Sequence, residues 1–348
     1  MCSHFCSVRF QAHLPGNIVL TQKITHSGRK CCSTLRIKSF SKSENSKPQP
    51  IIFNRLMVRV LIMFKGFTHT QFSLSEAVLD VRYGGNGPPI LLLHGHPRTH
   101  VTWSKVAPEL AKFFTVVCPD LRGFGRSSKP ADLPDHAGSS KRAKAQDCIE
   151  LMSKLGFEQF AIVGHDRGSY TAYRAALDHP ERITRLVVLD CIPILEALNR
   201  CNEKFARQWY HWFFFAQPEK PEQAILADPD KWYGGQPVTM GDDEYIEFRR
   251  AIHDPETVHG MIEDYRAGLS IDKEHEFYDR QHGRHIECPT LCLWSKYDDL
   301  QEIYGDVLSI WKAWAPDVRG KAISSGHHMA EEAPEELATE LIQFLLQE

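Results

Sequence analysis

The pentapeptide Gly164-His165-Asp166-Arg167-Gly168 constrains this chain more than any other stretch. It follows the apolar run FAIV and precedes SYTAYRAALDHP, a helix-forming stretch that ends against Pro180. A buried strand that turns into a helix within so few residues needs glycine on both sides of the turn. Gly164 and Gly168 let the two backbones approach with no Cβ between them. Asp166 then stands on a sharp, strained turn at a helix N-terminus, where free N–H groups favour negative charge. A plain helix-capping aspartate would also fit this spacing, so the rest of the chain has to decide.

From Phe72 onward, short apolar runs alternate with longer helical stretches, which predicts an α/β architecture with helices on both faces of a sheet. PPILLLHG, FTVVCPD, FAIVGHD, ITRLVVLD and PTLCLWS read as five buried strands, nearly continuous in apolar residues as parallel strands are. FSLSEAVLDVRYGG reads as an antiparallel pair at the sheet edge, KAISSGHH as the last strand with its loop, and Pro334 to Gln347 as a closing helix. Between Ile192 and Ile286 the rhythm breaks into aromatic-rich helical sequence (WYHWFFF, KWYGG). The expected organisation is an extension over 1–62, a core over 63–191 and 287–348, and a helical cap over 192–286.

Residues 1–60 hold ten Lys/Arg against one acid, Glu44, while the whole chain carries a formal charge of −3. This basic, Ser-rich segment is expected to be either an extension without regular structure or a mitochondrial-type targeting segment. The apolar stretch from Ile51 to Phe67 is interrupted by Arg55, Arg59 and Lys65, so no membrane span is expected. Nothing in the charge balance points to nucleic acid. The ten cysteines include no CxxC pair and no Cys/His spacing of a zinc site. Cys118, Cys191 and Cys292 lie in or beside strand-like runs, as buried free thiols do. A reducing, cytoplasmic compartment fits this usage, and a homodimer is left open.

The turn around Asp166 has the frame of a nucleophile elbow, with Asp in the place where esterases carry Ser. His94-Gly95-His96-Pro97 follows the strand ILLL, where this frame draws one oxyanion-hole N–H; the second comes from the residue after the nucleophile. That assigns the backbone amides of His96 and Arg167, and leaves His94 a structural role. The base comes last in the chain, which points to His327 in Ser325-Gly326-His327, with His328 as its adjacent rival. For the third, acidic member, Asp190 ends one strand and Asp298 follows the next. Spacing does not choose between them.

From about Phe64 to the C-terminus the chain resembles the haloacetate (fluoroacetate) dehalogenases of the epoxide-hydrolase-like α/β-hydrolases. HGHPRTH, DLRGFG, GHDRG, YHWFFFAQP, EDYRAG and SGHHMAEEAP match that family in order. The resemblance implies the α/β-hydrolase fold, a mostly parallel central sheet flanked by helices with a cap inserted after strand six. It places the triad acid on Asp190, with Asp298 as the alternative, and the halide-binding pair on His211 and Trp212. Two positions depart from the family. Its second substrate-binding arginine is replaced by Tyr170, three residues beyond Arg167 and so on the same helix face. Its cap tyrosine falls on Phe248, which has no hydroxyl.

An aspartate nucleophile implies displacement at an sp³ carbon through an ester on the enzyme, with no metal or organic cofactor and a small molecule as substrate. The resemblance gives Arg167 to a substrate carboxylate. An epoxide hydrolase is the alternative, with Tyr210, Tyr233 or Tyr265 as proton donors. A catalytically silent binding module is the third reading, against which the intact Asp166 and His327 stand.

Overall fold

A computed structural model describes residues 7–14, 18–27, 30–39 and 63–347. The first three segments belong to a unit of their own, an antiparallel sheet of β1 (Ser7–Leu14), β2 (Ile18–Ser27) and β3 (Lys30–Ser39) in that order. This differs from the expected extension without strands. The Val, Thr and Ile content of β2 and the alternation Leu35-Arg36-Ile37-Lys38 in β3 carry a strand signal that the charge bias of the segment masks. What was expected of residues 40–62 lies outside the described residues.

The second unit is built on an eight-stranded sheet of β4 (Thr68–Ser73), β5 (Val78–Gly85), β6 (Pro89–Leu93), β7 (Thr115–Pro119), β8 (Phe160–His165), β9 (Ile183–Leu189), β10 (Thr290–Ser295) and β11 (Val318–Ile323). Their spatial order is β11-β10-β9-β8-β6-β7-β5-β4. The five apolar runs are β6 to β10 and pair in parallel, while β5 runs antiparallel to both β4 and β7.

Why these strands read as unbroken apolar runs is plain from their two faces. Leu91, Leu93, Ile162, Leu186 and Val188 point into one core, and Ile90, Leu92, Val163, Val187 and Leu189 into the other. Side chains alternate across a strand, so a sheet covered on both sides needs apolar residues at every position. Helices α1 (Lys141–Lys154) and α2 (Arg167–Asp178) cover the first face, and the C-terminal helix Pro334–Leu345 the second.

Between β9 and β10 the described residues form helices and no strand. Four matter for the site: α3 (His211–Phe215), α4 (Lys220–Ala227), α5 (Asp242–Ile252) and α6 (Pro255–Ala267). No helix among the described residues is long and apolar enough to cross a membrane. The sheet also fixes where chemistry belongs. The chain leaves β6 for β7 on one side, while β8 pairs on the other, and such a reversal opens a crevice at the carboxyl ends of the strands.

The second unit begins at its very first described residues. Met63 and Phe64 are buried in the core of the second face, and the Phe64 ring lies 5.3 Å from Phe67 and 5.8 Å from His100. A chain starting at Met63 should therefore fold as the full chain does. Within it, Phe64→Ala should cost about 3–5 kcal/mol in denaturant unfolding, the usual loss for a buried aromatic.

Candidate active site

Asp166 is held in a backbone conformation that L-residues rarely adopt, with φ 50° and ψ −118°, immediately before α2. The turn is tight enough that a Cβ on Gly164 would run into the Gly168 carbonyl, and one on Gly168 into the carbonyls of Leu93 and His94. β6, β8 and α2 are thereby pressed together, and Asp166 projects beyond the strand ends. Its Oδ1 accepts a hydrogen bond from the His96 backbone amide at 2.7 Å, and the Arg167 backbone amide bonds the same carboxylate. A Cβ on Gly95 would collide with that carboxylate, so the β6 loop needs glycine to approach it. Burial alone would raise the Asp166 pKa. The charges of His327 and Arg167, with the Arg167 amide, hold it below the usual carboxylate value.

The loop after β11 brings His327 to the same place. Its Nε2 lies 4.0 Å from Asp166 Oδ2, and its Nδ1 faces two acids, Asp190 Oδ2 at 2.7 Å and Asp298 Oδ2 at 3.2 Å. Asp190 is buried and fixed by the Ser295 amide and hydroxyl at 2.9 and 2.8 Å, whereas Asp298 is about one-third exposed. The two candidates left open by spacing thus meet on one nitrogen. His328, the rival base, contacts neither acid. Its Nδ1 is buried without a partner, and burial with the nearby charge of Arg98 keeps it neutral. His165 lies 2.7 Å through Nε2 from the His327 carbonyl; burial pushes its pKa down to about 4, so it is neutral and donates there.

The guanidinium of Arg167 is fully buried, close to the Asp166 carboxylate. Nε bonds Asp264, Nη2 donates to the Asp264 carbonyl at 2.8 Å, and Nη1 has no hydrogen-bond partner. Its carbon sits 4.0 Å from the Tyr265 ring centre, 4.9 Å from Tyr170 and 5.5 Å from Trp212. Tyr170 therefore packs against the Arg167 guanidinium from the same helix. His211 and Trp212 line the same wall, with ring centres 5.6 and 6.2 Å from Tyr265. Burial lowers the His211 pKa to about 4, leaving a neutral ring that can donate from one nitrogen.

One expectation is corrected here. Phe248, taken as the counterpart of the cap tyrosine, packs with Met240 and Ile252 and beneath Arg98, 4.6 Å from its ring centre, in a small cluster of its own. The tyrosine that stands with His211 and Trp212 is Tyr265, from the EDYRAG stretch. Spacing across irregular helices does not fix which residue turns inward, and α5 turns Phe248 away. Tyr233 also reaches the pocket, its hydroxyl 3.4 Å from His96 Nε2, while Tyr210 is half exposed. Asp264, Lys141, Lys144 and Ser295 were not singled out from the sequence. A buried acid shared by three cations reads, in one dimension, as an ordinary solvated helix face.

Among the described residues, the ligand-type atoms of Asp190, Asp298 and His327 lie within 4.8 Å of one another, but both acids are already engaged with His327 Nδ1. A surface cleft of about 630 Å³ bounded by Asp132, His136, Glu222 and His259 contains none of these groups.

The comparisons agree with this architecture. A family profile described as the alpha/beta hydrolase fold matches residues 88–332. A fluoroacetate dehalogenase from a Burkholderia species is 41% identical over 292 residues, covering 81% of this chain and 95% of that protein. A soluble epoxide hydrolase from Corynebacterium sp. strain C12 is 29% identical over 291 residues, covering 80% and 96%. A solved structure of a candidate α/β hydrolase from Nostoc sp. PCC 7120 superposes with a TM-score of 0.78 at 42% identity, covering 81% of this chain and 98% of that one.

His327 provides a direct check of the electrostatics. Burial opposes its charged form, yet the bonds to Asp190 and Asp298 raise its pKa well above the ordinary histidine value. Because folding raises it, its contribution to stability is complete below about pH 6.5 and fades as pH climbs through the folded value. An NMR titration of the ring should place its midpoint well on the alkaline side. Asp298→Asn should bring that midpoint down by roughly one pH unit, and Asp190→Asn by more, since it removes the shorter bond.

Proposed function

The chain belongs to the α/β-hydrolase family, in the branch that holds fluoroacetate dehalogenases and epoxide hydrolases, and we propose that it displaces a leaving group from an sp³ carbon through an ester formed on Asp166. One observation carries this reading. The two backbone amides that would form an oxyanion hole, His96 and Arg167, are both turned onto the carboxylate of Asp166 itself. In an enzyme with a serine nucleophile those donors stabilise charge on the substrate's carbonyl. Here the carbonyl they serve belongs to the enzyme.

The steps follow from that geometry. Asp166 Oδ2, ionised at neutral pH, attacks carbon in line, and the carbon–halogen bond breaks with its electron pair leaving as halide. His211, Trp212 and Tyr265 are the donors facing the departing ion. Once Asp166 is esterified its negative charge, one of those that raise the His327 pKa, is gone. His327 in its neutral form then takes the proton of the water that attacks the Asp166 carbonyl carbon, and Asp190 and Asp298 hold the imidazolium. The oxyanion forms on Oδ1, where the His96 amide already sits at 2.7 Å. Collapse expels the alkoxide, which takes the proton back from His327, and Asp166 carries one oxygen from water. Residues 192–286 serve as the cap over the core.

Small 2-halo acids are the proposed substrates. The buried Arg167, with Nη1 free of partners, is suited to a carboxylate. With Tyr265 in the place expected of Phe248, the leaving-group wall has its hydroxyl, so the site differs from a two-arginine one only at Tyr170. An Arg–carboxylate contact contributes about 1.5–3 kcal/mol, which makes weak ground-state binding the expected cost of that change. An epoxide hydrolase is the second reading, favoured by Tyr233 and Tyr265 on either side of His96, their ring centres 5.6 and 5.3 Å from its own.

Asp166→Asn should retain the fold and lower kcat at least about a thousandfold, as loss of a nucleophile does. His327→Ala should stop only the second step, so that after exposure to chloroacetate mass spectrometry finds the added carboxymethyl group on the peptide containing Asp166. Halide release and diol formation, measured side by side, separate the two substrate readings.

A further inference from the structure

Behind the reactive carboxylate, three cations and two acids are buried together. Lys141 and Lys144 lie three residues apart on one face of α1, Arg167 opens α2, Asp264 comes from α6, and Asp272 from the turn after it; each is 2% exposed or less. Asp264 is shared. Its Oδ1 takes Lys141 Nζ at 2.6 Å and Lys144 Nζ, and its Oδ2 takes Arg167 Nε. Asp272 bonds the Lys141 backbone amide at 2.8 Å, and its other oxygen is 3.7 Å from Lys141 Nζ. Counting Asp166, whose carboxylate the Arg167 charge favours, three acids face three cations, and burial makes each of these charges depend on its partners.

The sharing of Asp264 has a use, given the reading of Asp166 proposed above, on which this inference rests. A 2-halo acid must bring its own anion to within two bonds of the carbon that the Asp166 anion attacks, and like charges at that distance repel strongly in a dry site. Arg167 alone would face Asp264, Asp272 and Asp166. With Asp264 occupied by the lysines, less of the Arg167 charge is cancelled, and its Nη1 is left without a hydrogen-bond partner. We infer that Lys141 and Lys144 are specificity-determining residues which, acting through Asp264 and Arg167, make the site select substrates bearing a carboxylate over neutral ones with the same leaving group.

The cluster also sets a pH range. The groups facing Lys141 are Arg167, Lys144, Asp264 and Asp272, with His94 and Asp147 on the far side of Lys144. Burial, then the charge of Arg167, pushes Lys141 down to about 8, against the pull of Asp264. Above that pH one positive charge is lost, and binding of an anionic substrate weakens.

The test compares chloroacetate with neutral chloroacetamide. Lys144→Met should lower kcat/KM for chloroacetate roughly ten- to a hundredfold, the loss of one charge-assisted contact, and leave chloroacetamide within about twofold. An equal loss on both, in a variant whose unfolding curve matches the parent, overturns the inference. In the unaltered enzyme, KM for chloroacetate should rise between about pH 7 and 9.5 while that for chloroacetamide stays flat; a constant ratio also overturns it. Should neither compound release halide, the proposed reaction fails by itself. Calorimetric titration with chloroacetate at those two pH values then decides the cluster alone: binding that weakens tenfold or more supports it, and unchanged or absent binding contradicts it.

Discussion

A single carboxylate, pinned by two main-chain amides on a strained turn, sets the terms for everything around it. The contact of His96 N with Asp166 Oδ1 at 2.7 Å exists only because β6 and β8 are neighbours whose loops meet at the strand ends. It persists only because Gly95, Gly164 and Gly168 leave no side chain in the way. Each is a packing requirement of the sheet, and each is also a condition on the chemistry. A substitution that relaxed the turn would ease the backbone and lose the alignment of carboxylate and amides together.

The charges around that carboxylate are arranged in two layers. In front, His327 is drawn to the protonated side by Asp190 and Asp298, as the proposed proton acceptor of the second step would need. Behind, Arg167 is anchored to Asp264, and Asp264 to two lysines. Burial makes such groups expensive unless every one is compensated. The sharing of Asp264 among three cations leaves less of its charge to oppose Arg167, beside the Asp166 carboxylate.

Much of this was legible before any coordinates. Unbroken apolar runs announced the parallel strands because both sheet faces are covered, and chain order announced which loops meet, because Asp166, Asp190, Asp298 and His327 follow β8, β9, β10 and β11 in turn. The acid was legible only as a pair, Asp190 or Asp298, since which carboxylate meets His327 depends on how two loops close; the structure brings both. The insertion between β9 and β10 was the least legible part. Its helices pack irregularly, so the family resemblance put the cap tyrosine on Phe248 where the fold presents Tyr265 beside His211 and Trp212. Lys141, Lys144 and Asp264 could not be told from surface charges, because a helix face that looks solvated in sequence is buried by a helix more than a hundred residues away.

The central claim, that Asp166 becomes the ester and is itself hydrolysed, is tested most directly by the fate of solvent oxygen. In heavy-oxygen water, with enzyme in excess over a 2-halo acid, the hydroxy-acid product of a single turnover should carry no label. The label should instead appear in the Asp166 carboxylate by mass spectrometry of its peptide. Labelled product in that first turnover, with Asp166 unlabelled, would mean that water attacks the substrate directly and would contradict the account.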